Sequence, residues 1–188
     1  MPTGYQIKDQ SAAYYLTTQV VNWIDIFSRK EYKDILIESL KFCQKEKYFE
    51  IYGYVIMSNH MHLIVRSGIN DLSGTLRDFK KFTSKKIVEA IDKPQESRRK
   101  WILKILEFEA QKRKKVSNYQ LWTHENHAIE LFSNTFILEK LDYMHNNPVR
   151  AGIVEFPEDY LYSSARNYAD LDSVLEIIKL SRTIERIR

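Results

Sequence analysis

Residues 54–66 read Tyr-Val-Ile-Met-Ser-Asn-His-Met-His-Leu-Ile-Val-Arg, which sets His60 and His62 one residue apart in an apolar, β-branched run. That composition suits a buried strand. Side chains alternate across a strand, so both imidazoles share one face while Met61 points to the other. Two imidazoles on a rigid strand can hold a divalent cation and leave positions open for substrate or water. The same spacing also arises as two half-exposed surface histidines, so a second element has to decide.

Residues 137–148 supply it. They read as the end of an amphipathic helix stopped by Pro148, which lacks an N–H and disfavours the α conformation at Asn147. The helix is expected to fray at or just before Asn147. Tyr143 and Asn147 are four positions apart, hence on one helix face about a turn from each other if the helix reaches that far. A phenol nucleophile and an amide ligand can then project together. Taken singly, Tyr143 also suits a half-buried core position and Asn147 a helix C-terminal cap.

The elements that must position these groups belong to one compact domain, the expectation for 188 residues. With 44% hydrophobic and 29% charged residues, five Gly and four Pro, the chain is neither disordered, collagenous nor membrane-like. No apolar run approaches a membrane span, and the N-terminal residues lack the regions of a signal peptide, which predicts a cytoplasmic location. The single cysteine, Cys43, excludes an internal disulfide and any multi-cysteine metal site, and is expected in a helix core.

The net charge of +4 is unevenly spread: residues 77–115 carry 14 Lys or Arg against 6 Asp or Glu, leaving 15 against 19 elsewhere. A local excess of this kind is the footprint of a polyanion, although charged helix faces are also simply solvated. Candidate DNA contacts are therefore Lys80, Lys81, Lys85 and Lys86 on one helix and Arg98 and Arg99 beyond it. The cluster Lys112, Arg113, Lys114 and Lys115 completes the set.

Along the chain, residues 14–27 read as a first strand, clearest over 14–21, and 31–47 as a helix with Ser28 as a cap. Strands 48–56 and 60–66 form a hairpin. A helix over 72–91 carries basic flanks, and 95–115 is a second helical stretch, read as an insertion. A short strand at 119–123 and a helix over 133–146 follow. The order β-α-β-β-α-β-α predicts an α+β ferredoxin-like sandwich, a central antiparallel sheet with helices on one face. Its central strands can bring the histidine pair to a helical tyrosine.

The pattern His60-Met61-His62, then Tyr143-x-x-x-Asn147, then 146–154 and 157–165 (Asn-Asn-Pro-Val-Arg-Ala-Gly-Ile-Val and Pro-Glu-Asp-Tyr-Leu-Tyr-Ser-Ser-Ala), resembles the REP-associated tyrosine transposases. These are single-tyrosine HUH transposases of small bacterial insertion sequences. The resemblance covers about residues 5–168. It implies Tyr143 as the nucleophile and His60, His62 and Asn147 as ligands of Mg²⁺ or Mn²⁺. It further implies a substrate of single-stranded or hairpin DNA, cleaved and rejoined through a 5′-phosphotyrosine by a nucleoid-associated protein, monomer or homodimer. The domain would span 1–168 with a basic helical insertion at about 92–118, followed by a C-terminal helical tail at 169–188.

Chemistry suits that implication. A phenolate is both nucleophile and leaving group, so a phosphotyrosine retains the bond for rejoining. Trp122, Tyr162 and Tyr168 are available as stacking platforms or as core residues. His124 and His127 lack an acidic or cysteine partner at a fitting spacing for a second metal site, and His145, two past Tyr143, faces elsewhere on a helix. Two rivals stand beside the transposase: a catalytically inactive hairpin-binding protein of the same fold, and a water-using metallohydrolase. The second lacks the further Asp and His of a two-metal site after His62.

Overall fold

The structure, a computed structural model, describes residues 6–112, 118–124 and 126–181. Four strands, β1 (Tyr14–Gln19), β2 (Phe49–Ile56), β3 (His60–Ser67) and β4 (Ile129–Glu130), form one antiparallel sheet in the order β2-β3-β1-β4. That is the expected split β-α-β order, with β1 and β3 central. Their register pairs Thr17 with His62 and Gln19 with His60, so Tyr15, Thr17, His60, His62 and Ile64 occupy one face. Met61, Leu63 and Val65 are fully buried on the other.

Helices α1 (Lys30–Lys47) and α2 (Leu72–Ile91) pack together on the face of Met61, Leu63 and Val65. Leu36, Leu40, Leu76, Phe79 and Ile87 supply their inward stripes, and Cys43 is buried among them as expected. Burial pushes the Cys43 thiol up to about 11. Asp71 caps α2 by accepting from Gly74 N–H. The basic stretch continues as α3 (Arg99–Lys112), which packs on α2 through Ile102 and Leu106 while Trp101 and Phe108 stay exposed.

Glu96, in the turn between α2 and α3, ties that turn to α1. Its buried carboxylate accepts from the Tyr32 hydroxyl at 2.7 Å and the Arg98 N–H at 2.9 Å, and pairs with Arg29 at 3.1 Å. Burial alone pushes this carboxyl up, but the two hydrogen bonds and the Arg29 and Arg98 charges outweigh it and hold it below the usual range. Glu96→Gln should destabilise the fold by about 1–3 kcal/mol at pH 7. A folded pKa below the unfolded one contributes stability above the unfolded value and loses it as pH falls. Urea titrations should therefore show the gap between wild type and variant closing below about pH 4.

Helix α4 (Asn134–His145), capped by Ser133, lies across the histidine face of the sheet. It approaches β2 closely because Gly53 has no side chain: a Cβ there would sit 2.6 Å from Met144 Cε and 2.7 Å from Leu141 Cδ1. The chain does not fray at Asn147 as expected. It passes through Asn146 in the α conformation into α5 (Asn147–Arg150), with Pro148 in the first turn, where a missing N–H costs nothing new, and Gly152 at φ +67° closes it. Helix α6 (Ala165–Tyr168) follows.

Three further expectations are corrected. The first strand stops at Gln19 and gives way to 3-10 turns at Val21–Trp23 and Ile26–Ser28. Residues 119–123 are no strand: they make a single bridge, Trp122 to Val20, because Trp122 turns into the core and donates to Thr83 Oγ1. The fourth strand is Ile129–Glu130 instead, paired with Tyr14 and Tyr15. Residues 171–181 of the tail carry no helix; Leu175 is buried and Ile178 N–H donates to Ile51 O on the open edge of β2. Covering an edge strand blocks its pairing with other chains.

Candidate active site

Strand alternation puts the two imidazoles side by side, ring centroids 4.8 Å apart. Each has its Nδ1 engaged, His60 by Asn59 Oδ1 at 2.7 Å and His62 by Thr17 Oγ1 at 2.8 Å. Both Nε2 atoms are thereby left available to a ligand. Burial depresses the His60 pKa, and burial together with the charges of His60 and Arg150 lowers that of His62 to about 3. Both rings are neutral at pH 7, the state in which imidazole binds metal. Tyr15 stacks on His62 at 5.3 Å and fixes the ring from the side of β1.

Tyr143 arrives from α4. Its ring meets that of His62 edge-on with centroids 6.5 Å apart, and the side chain is 53% exposed. The Arg150 guanidinium lies over the ring at 4.2 Å and donates to Tyr143 O at 2.8 Å. Asn147 is one turn past Tyr143. Because Pro148 brings no N–H to the Met144 carbonyl, the Asn147 amide donates there instead, at 3.3 Å, and its Oδ1 accepts from Arg150 at 3.1 Å. An amide oxygen has two lone pairs, so Oδ1 keeps one for a further partner.

The structure thus brings His60, His62 and Tyr143 together and sets Asn147 on the same helix face as the tyrosine. Two neutral imidazole nitrogens and an amide oxygen make a donor set that fits a divalent cation with open positions. Sequence reasoning missed Thr17, Tyr15 and Arg150. Arg150 lies seven positions past Tyr143, a same-face spacing that the assumed stop at Pro148 concealed.

The candidate DNA contacts are spread along the opposite layer. Lys80, on α2, donates to Thr123 O and Asn126 Oδ1, in the loop that pairs with the end of β1. Lys85 and Lys86 face Glu89, and Lys81 is exposed. Arg98 pairs with Asp25, Arg99 with Asp92 and Lys112 with Glu109. Arg113, Lys114 and Lys115 lie outside the described residues. The exposed pairs of Lys85 and Lys86 with Glu89 and of Arg99 with Asp92 are weak and open readily to a phosphate, whereas Glu109 is buried and Arg98 also faces the buried Glu96. Of the proposed platforms, Trp122 and Tyr162 are core. Among the described residues no three or more His, Cys, Asp or Glu gather in a group that could hold a metal ion, and His145 is buried against Ser164 at 2.8 Å.

The profile of the family described as "Transposase IS200 like" matches residues 11–119, more than half of the chain. The chain belongs to the IS200-like transposases. The match contains the histidine strand of this transposase and ends before α4, so its tyrosine half rests on geometry. No curated protein matches the chain. Among solved structures it is similar to the REP-associated tyrosine transposase bound to a REP hairpin, at 18% identity over 99% of both chains with a TM-score of 0.62. That likeness shows the shared fold. Among the described residues of the transposase no helix is long and apolar enough to cross a membrane.

Thr17 offers a test of how the imidazole is held. Thr17→Val keeps the shape but removes the partner of His62 Nδ1, and loss of such an orienting bond typically lowers metal affinity 10- to 100-fold. Calorimetric titration with Mn²⁺ should show that loss with the melting temperature nearly unchanged.

Proposed function

We propose that this transposase cleaves and rejoins single-stranded or hairpin DNA by a single-tyrosine mechanism. The observation that carries the reading is the exposed Tyr143 phenol set beside two neutral imidazoles and beneath the Arg150 guanidinium. His60, His62 and Asn147 would hold Mg²⁺ or Mn²⁺. Such a cation polarises the phosphate and stabilises the departing oxygen.

The chain's own residues do the rest. Thr17 and Asn59 orient the imidazoles through their Nδ1 atoms, and Arg150 supplies positive charge where the scissile phosphate must approach Tyr143. The Tyr143 oxygen, its proton lost to solvent, bonds to phosphorus as the bond to the 3′ oxygen breaks. That oxygen takes up a proton, leaving a 5′-phosphotyrosine and a free 3′-OH. The reverse attack by another 3′-OH rejoins the strand. Basic side chains on α2 and α3 contact the backbone of the bound DNA. The likeness to a transposase bound to a REP hairpin supports a DNA hairpin as the substrate. Incubation of the protein with such hairpins and Mn²⁺ should yield a protein–DNA adduct stable to denaturant; its absence across a pooled hairpin library would overturn the reading.

A further inference from the structure

Phe136, Lys140, Tyr143, Asn147 and Arg150 fall on one stripe, because steps of three and four keep helix positions on one face and α5 prolongs α4, and Phe132, just before the Ser133 cap, stacks on Phe136 at its head. Phe132 is 81% exposed, yet the two rings have centroids 5.3 Å apart and planes 25° apart. Lys140 follows, its Nζ 5.2 Å from the centre of the Phe136 ring and 5.6 Å from that of Tyr15. Tyr15 stacks in turn on His62. Rings and charge therefore run without a gap from Phe132 to the imidazole beside the nucleophile.

Folding does not account for the stripe. An apolar residue just before a helix cap can pack on the first turn and set how the chain joins the helix. That contact uses one face of Phe132 and leaves the other in solvent, where it contributes little to stability. Lys140 and Arg150 bracket Tyr143, and neither pairs with a carboxylate among the described residues. Positive charge without an acidic partner, beside an open aromatic face, complements an unpaired strand. Its bases expose π-faces that a duplex hides, and its phosphates follow the cations.

We infer that the Phe132–Phe136–Lys140 stripe of α4 is the seat of the unpaired strand next to the scissile phosphate, a base stacking on Phe132 while the backbone runs past Lys140 to Tyr143. From Asn134, just past Phe132, to Tyr143 the helix rises about 14 Å, room for a short run of nucleotides. The inference rests on the reading of Tyr143 as the nucleophile.

Fluorescence anisotropy with two probes tests it: a DNA hairpin bearing unpaired thymidine flanks on both ends and the same hairpin without flanks. Phe132→Ala should weaken the flanked probe about 5- to 100-fold and leave the blunt probe within about twofold. Phe132→Tyr should restore binding, and Lys140→Gln should lower the salt slope on the flanked probe by about one phosphate contact. Equal losses on both probes, or none on the flanked one, would overturn the proposal. Adduct formation by the wild type on the flanked probe separates the two readings. An adduct with Phe132→Ala binding unchanged rejects the stripe and keeps the nucleophile; a flank-specific loss without an adduct keeps the stripe and rejects the nucleophile.

Discussion

Tyr143→Phe is expected to bind a flanked DNA hairpin as tightly as the wild type and to form no covalent adduct with it, a loss of about a thousandfold or more. The change removes one oxygen from a half-exposed ring. Its hydroxyl makes no hydrogen bond among the described residues, and its ring contacts with His62 and Arg150 survive in phenylalanine. Stability should stay within about 0.5 kcal/mol. Denaturing gels of 5′- and 3′-labelled hairpins read the result. Continued cutting that releases free 5′-phosphate ends would make water the nucleophile, the metallohydrolase's chemistry. A wild type that binds and never cuts would instead be the inactive hairpin-binding protein.

Spacing put Tyr143 and Asn147 on one helix face and the resemblance singled out the tyrosine, whereas the surroundings of that ring were not legible. His60 and His62 could be assigned to one face from alternation alone, and the order of strands and helices sufficed to place them on a central strand. What orients them could not be read. The Thr17–His62 bond depends on the register of β1 against β3, residues 45 apart in sequence, and no local pattern sets that register. Pro148 misled for a related reason. A proline in a helical run argues for a stop, but its lost N–H is tolerated in the first turn of a new helix, and the Asn147 side chain serves the carbonyl left over. The same misreading hid Arg150. At 119–123 strand-forming residue types were present, yet Trp122 is held by the core and only one bridge forms. The basic segment was visible as charge, whereas the pairing of Arg98 with Asp25, 73 residues away, is tertiary and was not.

His62→Ala should also abolish adduct formation, but by a different route, and the two routes are separable. His62 is the more buried imidazole, held by Thr17 and by the Tyr15 ring, so removing it takes away a stacking partner and, in the proposed mechanism, a metal ligand. Hairpin binding, assigned in the proposed function to basic residues on other elements, should persist. Mn²⁺ titrations followed by calorimetry should show at least about 100-fold weaker binding, since two remaining donors hold a divalent ion poorly. Tyr143→Phe should bind Mn²⁺ as the wild type does, because no donor is lost. Mg²⁺ prefers oxygen ligands, so two imidazoles favour Mn²⁺ and the wild type should be saturated by it at the lower concentration. His60→Ala should match His62→Ala in losing both metal and adduct while costing less stability, its ring being less buried. If His62→Ala kept full Mn²⁺ affinity and lost only the adduct, the imidazole would be acting on the tyrosine or the phosphate directly, and the cation would have to be held elsewhere or not at all.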